Sequence, residues 1–430
     1  MEDIIERDIL TLLIKHLDDS KILAIRGARQ TGKSTVLDFL ETALKKKGVS
    51  KEQITFLTFE DPQLLDDFVK DPRVFLSSYM NNGGTHYFLL DEVQYDKQAG
   101  KHLKLVFDTI ENIKIIITGS SSLEISQISK FLVGRIYIYE LYGLNFGEYL
   151  KYKNARLFNI YKENRKILQN LFAGKNQPNK FNDIALKEIN KELNAYIIYG
   201  SYPEIVKCQK TDSKIETIKN IYTTYIGKDV ISLLGITDSS AFRKVLLLLS
   251  LQIGSLLNYN ELANDSQTYY KQAIRYINAL EETYVAKIIR PFHKNLRTEL
   301  RKNPKIYLLD TGLRNYIINN FNELDKREDT GHLVENFVFN QLNMAIQPNQ
   351  QLNFWRTLSK AEVDFIFFTG KNIMPIEVKF SNIKKTEITK GMRSFIEKYS
   401  PKIAIVLTKN FIGKRRVGKT TIYFAPVAYI

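Results

Sequence analysis

Gly27-Ala28-Arg29-Gln30-Thr31-Gly32-Lys33-Ser34 follows the apolar run Ile22-Leu23-Ala24-Ile25. An apolar strand entering G-x-x-x-x-G-K-S, with Thr35, Val36 and Leu37 leaving it at helical spacing, is the context a phosphate-binding loop requires. Gly27 and Gly32 let the backbone wrap an anion, and the free N–H groups of the next helix favour negative charge. Lys33 would reach the β- and γ-phosphates of ATP, Ser34 would ligate Mg²⁺, and Thr35 would extend the cradle. A buried strand, Tyr87 to Leu90, then ends in Asp91-Glu92. Beside a phosphate loop, Asp91 would hold the metal, usually through water, and Glu92 would polarise the attacking water. A third apolar strand, Ile113 to Thr118, ends near Ser120, whose hydroxyl could reach the γ-phosphate or hold that water.

A second constellation lies in the last third. Period-two spacing puts Glu377 and Lys379 on one face of a strand, with Asp364 on the strand before it. Asp364 and Glu377 offer hard oxygen ligands for Mg²⁺ or Mn²⁺, and the Val378 carbonyl a third. Lys379 could orient a water and stabilise its hydroxide, and Glu335, on a preceding helix, could complete the shell. On the residues alone, a Glu-x-Lys pair on a strand also reads as a surface ion pair.

The elements that must position these groups are legible from periodicity. Strands alternating with helices through residues 1–150 predict an α/β, doubly wound parallel sheet with nucleotide at the C-terminal strand ends. Residues 151–235 read as a helical insertion and then a lid, entered at Gly200-Ser201-Tyr202-Pro203-Glu204 and running through Tyr222, Tyr225 and Asp229. Within 236–318, three helices (Ala241–Leu257, Tyr259–Asn264, Thr268–Thr283) precede a hairpin whose loop is His293-Lys294-Asn295-Leu296-Arg297. That order is a winged helix. Its third helix would present Lys271 and Arg275 to a DNA groove, and its wing would bring Lys294 and Arg297 to phosphates. The same fold also serves as a protein-docking module or spacer. Residues 319–430 run α-β-β-β-α-β, with strands at 352–356, 362–368, 373–379 and 403–407.

Charge supports a polyanionic partner. The chain has 430 residues and a formal charge of +15. Residues 371–430 carry 13 Lys and Arg against 3 Glu, and residues 286–305 carry 7 against 1. Basic residues clustered this way point most simply to nucleic acid, the alternative being solvated loops kept for solubility. Cys208 is the only cysteine, which excludes an internal disulfide framework and fits a cytoplasmic setting. The N-terminus lacks a signal pattern, and Val245–Leu257 is too short and polar to span a bilayer, so no membrane partner is expected.

The Gly27–Ser34 loop, Asp91-Glu92, Gly119-Ser120-Ser121, Gly134-Arg135 and Gly200–Glu204 together resemble prokaryotic AAA-superfamily ATPases with a winged helix and a restriction-endonuclease-like C-terminal domain. Asp364 with Glu377-x-Lys379 is similar to the PD-(D/E)xK nuclease core. The resemblance implies that Arg135 senses or neutralises γ-phosphate charge, although capping a strand or pairing with Glu140 would serve the residue nearly as well. Sites of this family often complete themselves with an arginine from a neighbouring copy, so the resemblance leaves a homo-oligomer open without naming the arginine. Ala28 and Gly143 stand where the family usually has proline, and neither change removes a catalytic atom. The resulting expectation is a Mg²⁺-dependent ATPase that binds DNA and cleaves it at Asp364, Glu377 and Lys379. The alternative is an ATP-driven signalling or defence switch whose nuclease-like domain only binds DNA or a protein.

Overall fold

The computed structural model describes residues 4–81, 83–120, 122–175, 181–231, 235–236, 238–292, 302–370 and 372–430. The chain divides into two compact units, residues 1–143 with 282–285, and residues 144–281 with 286–430. The boundaries expected at 235 and 318 fall inside the second unit.

In the first unit, β1 (Ile22–Arg26), β2 (Ile54–Thr58), β3 (His86–Asp91), β4 (Ile113–Gly119) and β5 (Ile136–Glu140) form one sheet in the order β2-β3-β4-β1-β5. Every pairing is parallel. Parallel strands are covered on both faces, so the central ones read as continuous apolar runs. Alternate residues of β1 serve opposite layers. Leu23 and Ile25 pack with Val36, Leu37, Leu40 and Leu44 of the helix Lys33–Lys46. Ile22 and Ala24 join Leu103 and Val106 of the helix Ala99–Thr109. At the start of β4 the buried Lys114 donates to the carbonyls of His16, Asp19 and Lys21 at 2.6–2.7 Å, fixing the turn that leads into β1. Burial pulls its ammonium down to about 8.

The second unit begins with the helices Phe146–Lys153, Ala155–Phe172 and Leu186–Tyr199. The stretch read as a lid forms Pro203–Lys207, Thr211–Ile221 and a π-helical segment Tyr222–Val230, all within this unit. The helices Ser239–Leu251, Tyr259–Asp265 and Tyr270–Glu282 follow. Next come the antiparallel strands β6 (Ala286–Ile289) and β7 (Lys305–Leu308), in the element order the sequence predicts. The last sheet has the order β12-β13-β11-β10-β9-β8. Its strands are β8 (Gln351–Arg356), β9 (Glu362–Phe368), β10 (Ile373–Lys379), β11 (Ile403–Thr408), β12 (Gly413–Val417) and β13 (Thr420–Pro426).

Four of these strands were expected, whereas β12 and β13 were not. Lys414, Arg415 and Arg416 are exposed on an edge strand, where no apolar alternation survives to mark it. The signal available was Gly418, at φ 57 in the tight turn between the two strands.

The helix Lys390–Tyr399 lies so close to β9 that a Cβ on Gly391 would sit 1.8 Å from the Glu362 carbonyl oxygen. Backbone cannot yield as a flexible side chain can. Gly391→Ala is expected to cost about 3 kcal/mol, read as a lower urea midpoint at unchanged slope. Among the described residues, no helix is long and apolar enough to cross a membrane.

Candidate functional site

The phosphate loop joins β1 to the helix Lys33–Lys46, and Gly32 caps that helix at φ 90, where a Cβ would be strained. Gly27 has a second duty. A Cβ there would fall 2.0 Å from the Leu141 carbonyl oxygen, so only glycine lets the chain leave β1 beside the end of β5. Arg7 braces the loop from outside. Its guanidinium donates to the Thr31 carbonyl at 2.7 Å and to the carbonyls of Tyr142 and Gly143 at 2.8 and 3.0 Å.

Within the loop, the buried Lys33 Nζ donates to Ser120 Oγ at 2.9 Å and to the carbonyls of Gly27 and Ala28 at 3.2 Å. It lies 3.4 Å from Glu92 Oε1. Ser120 Oγ is also 2.9 and 2.8 Å from the two Glu92 oxygens. Ser34 Oγ donates to Asp91 Oδ2 at 2.7 Å. The expected residues Gly27, Gly32, Lys33, Ser34, Asp91, Glu92 and Ser120 therefore converge, and Thr35 opens the adjoining helix. Parallel register explains why, since the ends of β1, β3 and β4 lie side by side.

Burial pulls the Lys33 ammonium below its ordinary value although Glu92 and Asp91 face it. Burial raises the Glu92 carboxyl, but Lys33, Gln94, Ser120 and Arg29 outweigh it and hold the group below the usual range. Glu92 thus stays ionised. Ser34 and Asp91 together form the hard-oxygen donor set that Mg²⁺ takes, so this site fits the ion.

Three contributors here were not read from the sequence. Thr118 Oγ1 bonds to Asp91 and accepts from the Glu92 N–H at 2.9 Å, tying the carboxylates of β3 to β4. Gln94 donates to Glu92 Oε2. Arg29, inside the loop motif itself, reaches the Tyr95 hydroxyl at 3.2 Å and bears electrostatically on both Lys33 and Glu92. Glu92 also adopts φ 54, a left-handed conformation costly for a non-glycine residue and characteristic of functional positions.

Arg135 is not brought to this site. Its carbonyl accepts from Ile22 N–H at 2.8 Å, at the start of β1, whereas the loop follows the end of that strand. Its guanidinium pairs with Asp108 at 2.8 Å, and Glu140, the partner weighed for it, pairs with Arg26 instead at 2.7 Å. Gly200–Glu204 also has a packing role. Ser201 N–H and Oγ donate to the buried Asp310 at 2.6 and 2.7 Å, and a Cβ on Gly200 would strike that carboxylate at 2.3 Å.

The second constellation is partly assembled. The register pairing Ile376 with Phe365 puts Glu377 beside Asp364 along the β9–β10 ladder. Asp364 Oδ2 accepts from Val378 N–H at 2.8 Å, and Glu377 Oε2 from Thr389 Oγ1 at 2.7 Å. Desolvation, with Glu335 next to it, pushes the Asp364 carboxyl well above the ordinary range, and burial raises Glu377. Lys379 stays partly exposed at the end of β10.

Glu335 lies beside Asp364 but is already engaged by side chains from β7. Its Oε1 accepts from Lys305 Nζ at 3.0 Å and from Tyr307 OH at 2.6 Å. Lys305 Nζ also lies 2.6 Å from Glu362 Oε1. Desolvation lowers that ammonium, but Glu335, Asp364 and Glu362 more than reverse it, leaving its pKa raised. A chain cation sits among the carboxylates, so the donor set does not fit a divalent ion. Among the described residues, no group of three or more His, Cys, Asp or Glu side chains is arranged to hold a metal.

Of the expected DNA contacts, Lys271 and Arg275 are exposed on the helix Tyr270–Glu282, beside Tyr269 and Tyr270. Lys294 and Arg297 lie outside the described residues.

Residues 19–150 match the family described as "AAA domain". Residues 190–324 and 330–428 match two families described as domains of unknown function, DUF8612 and DUF4143. The chain is 24% identical over 403 residues to an uncharacterised protein of Haemophilus influenzae, covering 91% of this chain and 90% of that one. It is 26% identical over 381 residues to one of Methanocaldococcus jannaschii, covering 87% and 77%. Among solved structures it is similar to the Aeropyrum pernix ORC1 protein in complex with DNA, at 11% identity and TM-score 0.28, covering 73% of this chain and 90% of that one. It is also similar to domain III of the Thermotoga maritima replication initiation protein DnaA, at 14% identity and TM-score 0.29, covering 53% and 89%. The match to the AAA domain family spans the same residues that carry the loop, the acidic strand end and their parallel sheet, so residues 19–150 are similar to an AAA-type P-loop domain in both sequence and fold.

Proposed function

We propose that this chain is a Mg²⁺-dependent ATPase that engages DNA and does not cut it, its hydrolysis cycle serving as the switch. The observation that carries the ATPase reading is the convergence of Lys33, Ser120 and Glu92 within hydrogen-bonding reach, next to Ser34 and Asp91. Lys33 binds the β- and γ-phosphates and neutralises charge that grows on them. Glu92, ionised and held by Ser120 and Gln94, orients the attacking water and draws on its proton. Thr118 keeps Asp91 and Glu92 in register with the Ser120 strand end. Ser34 and Asp91 would hold Mg²⁺, which would supply further stabilisation of developing negative charge.

The DNA reading rests on where the charge lies. Lys271 and Arg275 are exposed on the third helix of its group, with Tyr269 84% exposed at its start. Lys414, Arg415, Arg416 and Lys419 are exposed along the edge hairpin of the last sheet. Such side chains suit phosphate contacts, and the aromatic rings suit bases.

Neutralising six phosphates would give a slope of log K against log salt of about −5 on duplex DNA. Filter binding or anisotropy across salt concentrations measures it, and a flat titration removes the DNA reading. Incubation of supercoiled DNA with Mn²⁺ tests the other half. Wild type and the double variant Asp364→Ala, Glu377→Ala are expected to leave it equally intact. Nicking by wild type alone would restore the cleaving enzyme.

A further inference from the structure

The carboxylates of the last domain meet a lysine that comes from outside their own sheet. Lys305 begins β7, opposite Ile289 of β6, and its side chain is 2% exposed. Its backbone cannot drift, because Leu257 N–H donates to the Pro304 carbonyl at 2.8 Å and Gly254 N–H to the Ile306 carbonyl at 2.9 Å. Three residues on, Asn336 bonds both the N–H and the carbonyl of Leu308, at 2.9 and 2.6 Å. Asn336 neighbours Glu335 on the helix Thr330–Ala345, so β7 is stitched directly to the element that carries the first carboxylate.

Around the ammonium the acceptors are arranged as a cation's would be. Glu335 Oε1 lies at 3.0 Å and Glu362 Oε1 at 2.6 Å, with the Phe354 ring centroid at 5.6 Å. The other Glu362 oxygen accepts from Arg356 Nη1 at 2.5 Å, and Tyr307 shares Glu335 Oε1. A small divalent ion needs oxygens at about 2.1 Å with near-octahedral order. It could take these oxygens only by displacing a buried ammonium from both carboxylates.

We propose that Lys305 is the resident cation of the Glu335–Glu362–Asp364 cluster, a covalent substitute for a divalent metal that joins the β6–β7 hairpin to the nuclease-like sheet. The cluster is then a site whose ion cannot dissociate. Whatever this domain binds, it binds without a divalent ion of its own. The proposal deepens the non-cleaving reading above, and its failure is distinguishable from failure of DNA binding, because its test contains no DNA.

The test is Mn²⁺ binding to the full chain without nucleotide, followed by electron paramagnetic resonance and by thermal unfolding. Wild type and Asp364→Asn are expected to bind Mn²⁺ alike. Lys305→Met is expected to gain one site at least tenfold tighter than any in wild type and to unfold at a higher temperature with Mn²⁺ than without. Adding Glu335→Gln to Lys305→Met should abolish both gains. The proposal is overturned if wild type holds a Mn²⁺ ion that Asp364→Asn loses, or if folded Lys305→Met gains none. Should Lys305→Met fail to fold, wild type against Asp364→Asn decides alone, equal binding supporting the proposal and a lost ion overturning it.

Discussion

Lys33→Met is expected to lower the rate of ATP hydrolysis by about a thousandfold, with weaker nucleotide binding alongside. Methionine matches the lysine stem in volume, so the loop keeps its packing while the charge disappears. Two effects then add. The growing negative charge on the transferred phosphoryl group loses the loop ammonium, and Glu92 loses the cation that stands 3.4 Å away. Ser120 loses its donor as well, while its hydroxyl still faces Glu92. Phosphate release under saturating ATP and a binding titration with a fluorescent nucleotide measure the two parts. Hydrolysis within about threefold of wild type would remove Lys33 from the mechanism.

Glu92→Gln is expected to separate binding from hydrolysis. The amide keeps the length of the side chain and can still meet Ser120, but it cannot accept a proton, so kcat should fall by roughly 10²–10⁴-fold. Affinity for ATP should change little, because the phosphates are held by Lys33 and the loop. This variant should therefore accumulate the ATP-bound form, the useful state for asking whether DNA affinity follows the nucleotide. Equal losses in kcat and in ATP affinity would assign Glu92 to binding rather than to water activation. Its left-handed backbone, φ 54, is retained by either residue, so strain is not what the substitution probes.

The groups that converge at the phosphate loop were legible because each is announced locally. A glycine loop between a strand and a helix, and acidic or hydroxyl residues at the ends of apolar runs, need no knowledge of distant contacts. Parallel pairing then brings those strand ends together without further information. Arg135 could not be placed that way. A Gly-Arg pair before an apolar run does not say which end of the sheet it marks, and here it opens β5, opposite the loop. Lys305 was read as part of a basic hairpin because its partner Glu335 lies 30 residues away, on a helix whose orientation only tertiary packing sets. The same holds for Thr118, an unremarkable residue inside an apolar strand until the neighbouring strand supplies the two backbone and side-chain groups it bridges. Edge strands such as β12 escape for a different reason, since their solvent-facing residues carry no hydrophobic period.

Arg7 carries a mechanical implication. One guanidinium holds the carbonyl of Thr31, in the phosphate loop, and those of Tyr142 and Gly143, where the polypeptide leaves the first unit. The gripping end and the exit therefore share Arg7 as a common tie. Neither can shift alone without breaking a charge-assisted hydrogen bond, a loss of about 1.5–3 kcal/mol. Arg7 thus ties the position of the loop to that of Tyr142 and Gly143.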